Sequence, residues 1–354
     1  MENQIIKKTL IAVPSTSVGG VANYYNSIQP FLKKNNVHYL PIGINKPSSL
    51  SIKSLVKSIF DLKIKLKSEM YSVYVANPSL DLKSIIRDIF LTFIAKNNGL
   101  KVIVFFRGWS IRNEKYLNNF PLFIRPLIKN SDRIIVLSSD FKKAVRRWGF
   151  KNKIDVESTT YNNKILKYLP DGKQKSDAIN IVFLSRIIKE KGIYIAIKAF
   201  RIAKKKCNKK IKLIIVGDGP EINNVLKFIS NDKSIELLGW LEGERKYKTL
   251  QKGNILLFPT YHSEGMPNSI LEAMALGLPI ITRSVGGVKD FFENKKNGFI
   301  TSSKDPNIFA RYLIELIDNE KLMKTISDHN MKLSQKLFSP ENVSRRIIEI
   351  LNNY

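Results

Sequence analysis

The chain of 354 residues holds one cysteine, Cys207. An internal disulfide is therefore excluded, and a reducing compartment is expected. Long apolar runs are missing too: none reaches the ~18 residues that cross a bilayer. The opening MENQIIKKTLIAVPST does not read as a signal peptide, because its short apolar run continues into a core-strand pattern. A cytoplasmic protein is expected, free or bound to the membrane from its inner face. Acidic residues are also short in supply, with 30 Asp and Glu against 59 Lys and Arg and a formal net charge of +29. The excess lies mainly in residues 1–175, which hold 30 basic against 11 acidic side chains; residues 176–354 hold 29 against 19. Such a balance attracts nucleic acid, anionic lipid or phosphorylated substrates. A Lys- and Asn-rich compositional bias would produce it as well, so charge alone selects no function. Interleaved aromatic and basic motifs, a recognition-helix pattern and a zinc site are all missing, which argues against nucleic acid.

What is present is enough for two cores. Hydrophobic residues make up 44% of the chain, with 19 Phe and 13 Tyr, and the length suits two domains. Short apolar runs alternate with amphipathic segments. TLIAVP (9–14), HYLPI, YSVYVA (71–76), KVIVFF (101–106) and DRIIVLS (132–138) read as buried strands of a first half. The polar stretch KYLPDGKQKSDAIN (167–180) reads as a linker. The pattern then restarts with INIVFL, KLIIVG, IELLG, NILLFP and LPIIT, and residues from about 305 onward look helical. The expected fold class is α/β, with two successive doubly wound, Rossmann-like units. Ligands in such sheets bind at the carboxyl ends of the strands, so the natural site is a cleft between the units.

Four groups of residues fall at strand ends. The first is YHSEGMPNSILEAMALGLPIITRSVGG (261–287), in which Glu264 and Glu272 have seven residues between them. Pro267 suits the first turn of a helix and Gly277 its end, which predicts a helix over about 267–276. The unpaired N–H groups and positive dipole end of that helix make a phosphate site. Glu272 lies four residues past Asn268, one turn up the same side. A carboxylate there would repel phosphate, and makes sense if it accepts hydrogen bonds from neutral groups such as ribose hydroxyls. Read singly, either glutamate could equally be an ordinary exposed or helix-terminal acid. In the second group, FLSRIIKEKG, Arg186 follows a strand and Lys191 precedes a helix; two such cations can clamp a diphosphate. In so basic a protein they could also be a solvated loop. The third, SVGGVANYY, places Gly19 and Gly20 between strand and helix, where backbone can approach a ligand closely. The fourth, VGDGP (216–220), holds Gly217 in another strand-end turn. Neither glycine loop is specific alone.

Taken in order, these motifs resemble the family-4 glycosyltransferases. SEGMPNSILEAMALGLPIIT with its E-x7-E spacing looks like their donor-binding signature. LSRIIKEKG resembles their diphosphate loop, IIVGDGPE and SVGGVANY their two glycine loops, and SDRIIVLSSDFKKAV the last strand and helix of their first domain. The resemblance covers nearly the whole chain. It implies a GT-B fold of two facing Rossmann-like domains, over 1–170 and 178–338, with a helix at 339–354 crossing back to the first. It implies retaining sugar transfer from a nucleotide-sugar, with UDP the guessed base. Glu272 would hold the ribose. Glu264, with the backbone of Gly265, Met266, Pro267 and Asn268, would hold the sugar and diphosphate. Arg186 and Lys191 would bind that diphosphate, Gly217 would line the donor site, and Gly19 and Gly20 would approach from the other domain. No Asp-x-Asp pair occurs, so no essential metal and no cofactor are expected.

Two departures stand out. The family often has a histidine after the fourth or fifth strand of its first domain; here VIVFFRGWS puts Arg107 in that place, as a candidate sugar or acceptor contact. The family's Asn-Gly turn near the end of that domain is replaced by VESTTYNNK. The segment 51–70 reads as a basic amphipathic helix, with apolar residues at 52, 55, 56, 59 and 60 and lysines at 53, 57, 63, 65 and 67. FPLFIRPLI (120–128) adds further apolar and basic residues. These features point to an anionic membrane surface and a polyprenyl-diphosphate-linked sugar acceptor, as in surface polysaccharide or O-antigen assembly. The apolar stripe could instead pack on the sheet. A GT-B nucleotide-sugar epimerase is the alternative enzyme, which the E-x7-E stretch disfavours.

Overall fold

A computed structural model of the protein describes residues 7–15, 19–43, 52–169 and 178–353. They fall into two compact units. One comprises the chain up to Thr160 with Ser263–Met266 and Pro340–Tyr354, and the other comprises Tyr161–His262 with Pro267–Ser339.

The first unit runs β1 (Thr9–Pro14), α1 (Gly20–Leu32), β2 (Val37–Ile42), α2 (Ile52–Ser68), β3 (Val73–Ala76), α3 (Leu82–Asn97) and β4 (Lys101–Phe105). It continues with α4 (Ile111–Asn119), α5 (Arg125–Asn130), β5 (Arg133–Val136), α6 (Ser139–Arg147) and β6 (Ile154–Val156). All strands pair in parallel, in the order β2-β1-β3-β4-β5-β6. Every residue of β3 and β5 is buried, as expected of strands covered on both faces. Side-chain caps start three of the helices: Asp81, Ser110 and Ser138 accept from the backbone N–H of Ser84, Asn113 and Asp140.

The second unit runs β7 (Ile179–Leu184), α7 (Ile193–Lys206), β8 (Ile211–Val216), α8 (Ile222–Ile229), β9 (Ile235–Leu237) and α9 (Gly243–Gln251). Then follow β10 (Ile255–Phe258), α10 (Asn268–Ala275), β11 (Ile280–Arg283), β12 (Gly298–Thr301), α11 (Pro306–Asp318) and α12 (Glu320–Phe338). Its parallel sheet has the order β12-β11-β10-β7-β8-β9. Counted within the unit, that is the 3-2-1-4-5-6 order of a dinucleotide-binding fold. Both units are Rossmann-like. The short strands β6 and β12 were not expected from sequence, because KIDVES and NGFIT interrupt their apolar residues with polar ones. A 3-10 stretch at Asn163–Tyr168 packs with α9 and α10, and the Tyr168 ring lies 5.8 Å from that of Tyr247. Most of the expected linker, residues 170–177, lies outside the described residues.

The last helix, α13 (Pro340–Asn352), belongs to the first unit. Val343, Ile347, Ile350 and Leu351 join that unit's hydrophobic core. Arg346 grips Glu157 at 2.9 Å, and Arg133 spans Asp155 and the carbonyls of Ile350 and Asn353. Among the described residues, no helix is long and apolar enough to cross a membrane.

Candidate functional site

In the second sheet the chain reverses direction between β7 and β10, its inner neighbours. A crevice opens outside the carboxyl ends of strands at such a switch point. The loop after β7 carries Arg186, which is exposed, and ends in a 3-10 turn at Lys189–Lys191. Gly192 then takes φ 82° as the N-cap of α7, and a Cβ there would lie 2.3 Å from the Pro259 carbonyl oxygen. The loops after β7 and β10 are thus held backbone to backbone. The Glu190 carbonyl fastens them further, accepting from Tyr261 N–H at 2.8 Å and His262 N–H at 2.9 Å. Lys191 is buried, with Nζ 5.8 Å from the centre of the Phe258 ring at the end of β10.

Past that loop, α10 begins at Asn268, with Pro267 as its N-cap at ψ 117°. The sequence predicted Pro267 inside the helix; the one-residue difference lies within the fraying of helix ends. Gly277, with φ 78°, follows the C-cap Leu276. Glu272 is buried on α10, and its Oε1 receives Lys246 Nζ from α9 at 2.6 Å. No hydrogen bond reaches its Oε2 among the described residues. The Tyr247 hydroxyl is pushed up to about 12, first by burial and then by the negative charge of Glu272. Sequence reasoning missed Lys246. It is one of several cations in ERKYK, and nothing in the spacing marks it as the one that turns toward Glu272.

Gly217 is held by its own sheet. It adopts φ 146°, and a Cβ there would lie 1.8 Å from the Ser185 carbonyl oxygen. Its requirement for glycine comes from the packing of the loop after β8 on the loop after β7.

The remaining sequence-selected residues lie in the first unit. Ser263–Met266 cluster there: Ser263 Oγ accepts from Ile111 N–H at 2.9 Å, and Met266 packs against the core. A Cβ on Gly265 would sit 2.8 Å from the Leu137 side chain and 3.2 Å from the Arg107 carbonyl oxygen. Glu264 lies between these two anchors. Gly19 takes φ 127° before α1, while a Cβ on Gly19 or Gly20 would meet nothing within 4 Å. Conformation alone demands the first glycine, and neither is demanded by crowding.

Arg107 follows β4 and is 8% exposed. Its guanidinium lies 3.8 Å from the centre of the Tyr24 ring and 4.3 Å from that of Phe105. Nε and Nη1 have no hydrogen-bond partner among the described residues. Burial holds its basicity below the usual arginine value. Nearby, the Tyr25 hydroxyl donates to Asn77 Oδ1 at 2.8 Å, and Asn77 donates to the Ala12 carbonyl. Among the described residues, no group of three His, Cys, Asp or Glu side chains could hold a metal.

Residues 167–332 match the family described as Glycosyl transferases group 1. The capsular polysaccharide biosynthesis glycosyltransferase CapM of Staphylococcus aureus is 29% identical over 224 residues, which span 62% of this chain and 57% of that protein. An uncharacterized glycosyltransferase of Haemophilus influenzae is 25% identical over 342 residues, 90% of this chain and 92% of the relative. The crystal structure of Anabaena Alr3699/HepE in complex with UDP and glucose covers 98% of this chain at 17% identity, with a TM-score of 0.73. That likeness shows the fold, GT-B, with two Rossmann-like domains.

Proposed function

We propose, from the premise that residues 167–332 are a group 1 glycosyltransferase domain, that the chain transfers a sugar from a nucleotide-sugar to a sugar acceptor. The observation that carries this reading is the switch point of the second sheet. Arg186 and Lys191 follow β7, and the helix that carries Glu272 follows β10, so these groups would supply the residue set that a nucleoside diphosphate requires at such a switch point. Glu272 would accept from the ribose hydroxyls. Arg186, Lys191 and the N–H groups opening α10 would take the diphosphate and its growing charge as it leaves. Glu264, with the backbone of Gly265 to Asn268, would orient the transferred sugar. Gly217 would line the donor site. Arg107 would contact the sugar or the acceptor. Transfer with retention would break the bond from the anomeric carbon to the diphosphate and form the acceptor bond on the same face. Positioning and electrostatics would supply most of the rate, without a metal ion.

UDP is the favoured base, because a protein of the same fold was crystallised with UDP and glucose. The capsular relative supports a place in surface-polysaccharide assembly. An acceptor linked to polyprenyl diphosphate, at the inner face of the membrane, fits that place. The test is a thermal-shift panel of UDP-, GDP-, ADP- and dTDP-sugars on the wild type and on Glu272→Ala. A ligand that binds the native state raises its melting temperature. One nucleotide class should stabilise the wild type and do so less in the variant. No shift from any of the four at millimolar ligand would sink the reading.

A further inference from the structure

The helix α2 divides its residues in an unexpected way. Its buried side is Ser54, Ser58 and Leu62, with Ile59 and Leu66 packed part-way against the core. Its exposed side carries Ile52 (83% exposed), Val56, Phe60 (62%) and Ile64 at a spacing of four. On the helical wheel these alternate with the exposed Lys53, Lys57, Lys63 and Lys67. The neighbouring α3 packs against α2 and repeats the pattern, with Leu82, Ile86, Phe90 and Phe93 exposed. Its one inward carboxylate, Asp88, is buried against Arg87. Next along, α5 packs on α3, and the turn leading into it exposes Leu122 (70%) and Phe123. Between Ile52 and Asn130 the acids Asp61, Glu69, Asp81 and Glu114 are half-buried and Asp88 is buried, whereas Lys83, Arg112, Lys115 and Arg125 are exposed.

We infer that the solvent face shared by α2, α3 and the Leu122–Phe123 turn inserts shallowly into an anionic lipid bilayer. The apolar side chains would enter the acyl boundary while the lysines between them meet lipid phosphates. Basic residues near such a surface and large apolar side chains buried in it each add to the affinity. Two copies meeting through this face would set lysines against lysines with only half-buried acids, such as Asp61 and Asp81, to receive them, so a second copy fits poorly. The inference gives the proposed lipid-linked acceptor a place to be met, and it stands without that reading, since vesicle binding needs no donor.

The experiment is co-sedimentation of the full chain with phosphatidylcholine vesicles, with and without phosphatidylglycerol, for the wild type, Val56→Ser/Phe60→Ser and Phe90→Ser/Phe93→Ser. The wild type should pellet with the anionic vesicles, and each double variant should bind at least about tenfold more weakly while melting as the wild type does. No pelleting of the wild type, or full pelleting of both variants, overturns the inference. A concentration-dependent dimer that both variants abolish would assign the face to a second copy instead. Loss of nucleotide-sugar binding in the wild type would count against the transferase reading alone.

In the second unit the ion pair of Glu272 carries an independent inference. A carboxylate one turn inside a helix whose tip holds a diphosphate should weaken that diphosphate's binding. We infer that Lys246 is a positioning residue that neutralises Glu272, so that the carboxylate can meet a ribose without repelling the phosphates beside it. The 2.6 Å contact occupies Oε1 and leaves Oε2 for the sugar. This rests on the proposed donor site. Its test uses whichever of UDP, GDP, ADP and dTDP binds the wild type best, together with the matching nucleoside, by titration calorimetry. Lys246→Met should lose about tenfold or more in affinity for the diphosphate and much less for the nucleoside. Lys246→Arg should retain both. Lys246→Met/Glu272→Gln should recover the diphosphate affinity. Equal losses for nucleoside and diphosphate in Lys246→Met would reduce Lys246 to a scaffold residue and overturn the inference. A wild type that binds none of the four would remove the donor site itself.

Discussion

The carbonyl oxygen of Ser185 occupies the place where a Cβ on Gly217 would go, 1.8 Å away. Ser185 N–H in turn donates to the Val216 carbonyl at 3.0 Å, so neither loop can withdraw without losing the end of the β7–β8 ladder. Gly217→Ala also places a side chain at φ 146°. We expect it to cost about 2–5 kcal/mol of stability in urea or thermal melts with no ligand present. A variant that melts normally and loses only nucleotide binding would show that the glycine serves the ligand alone.

Arg346→Ala leaves Glu157 buried without its cation. The Glu157 side chain is 7% exposed and would retain a backbone N–H donor from Ser158. The expected loss is about 3 kcal/mol. Hydrogen exchange should rise over 340–352 before it rises over the core strands, since α13 loses a main anchor. Uniform exchange across the first unit would contradict this.

Arg107 should behave in the opposite way. A buried guanidinium with two unpaired nitrogens is an expense to folding. Arg107→Met should therefore melt at the same temperature or higher, by up to about 2 kcal/mol. In acceptor assays kcat/KM should fall while nucleotide binding stays unchanged. A clear drop in stability would instead make its stacking on Tyr24 and Phe105 the reason for its presence.

Glu69 contributes a pH dependence at the amino edge of the first sheet. Hydrogen bonds from Lys8 and Tyr71 hold its carboxyl near 2, below the ordinary 4.5. The sign follows: the contribution is complete above pH about 4.5 and is lost as pH falls toward 2. The melting temperatures of the wild type and Glu69→Gln should therefore differ at neutral pH and converge through that acid window. A constant difference would place the effect elsewhere.

Much of the fold could be read from apolar runs. TLIAVP became β1 residue for residue, and NILLFP and KLIIVG became β10 and β8 within a residue at each end. Periodicity reports strands that are buried on both faces, and it fails for β6 and β12, whose pairing is decided by neighbours distant in sequence. The candidate site divides similarly. Glu272 and Lys191 stand out because turns and strand ends have local signals. Lys246 does not, because its meaning depends on a contact across 26 residues. The segment 51–70 shows the limit most clearly. Its apolar periodicity was legible, but the burial of Ser54 and Ser58 and the exposure of Val56 and Phe60 reverse the usual inference that the apolar face is the inner one.

The assignment of α13 to the first unit also bears on how the chain comes off the ribosome. The helix α1 and the sheet it covers are complete once about residue 160 has been made, yet Val343, Ile347, Ile350 and Leu351 are part of the same core. Some 180 residues separate the two. At an elongation rate of ~10 residues per second, the nascent first unit waits on the order of 20 seconds with part of its apolar surface uncovered. The second unit, whose described strands and helices all lie between Asn163 and Phe338, has its sequence complete before the first does. The unit that begins first is thus the one whose sequence is completed last, and its sheet lacks the apolar side chains of α13 until translation ends.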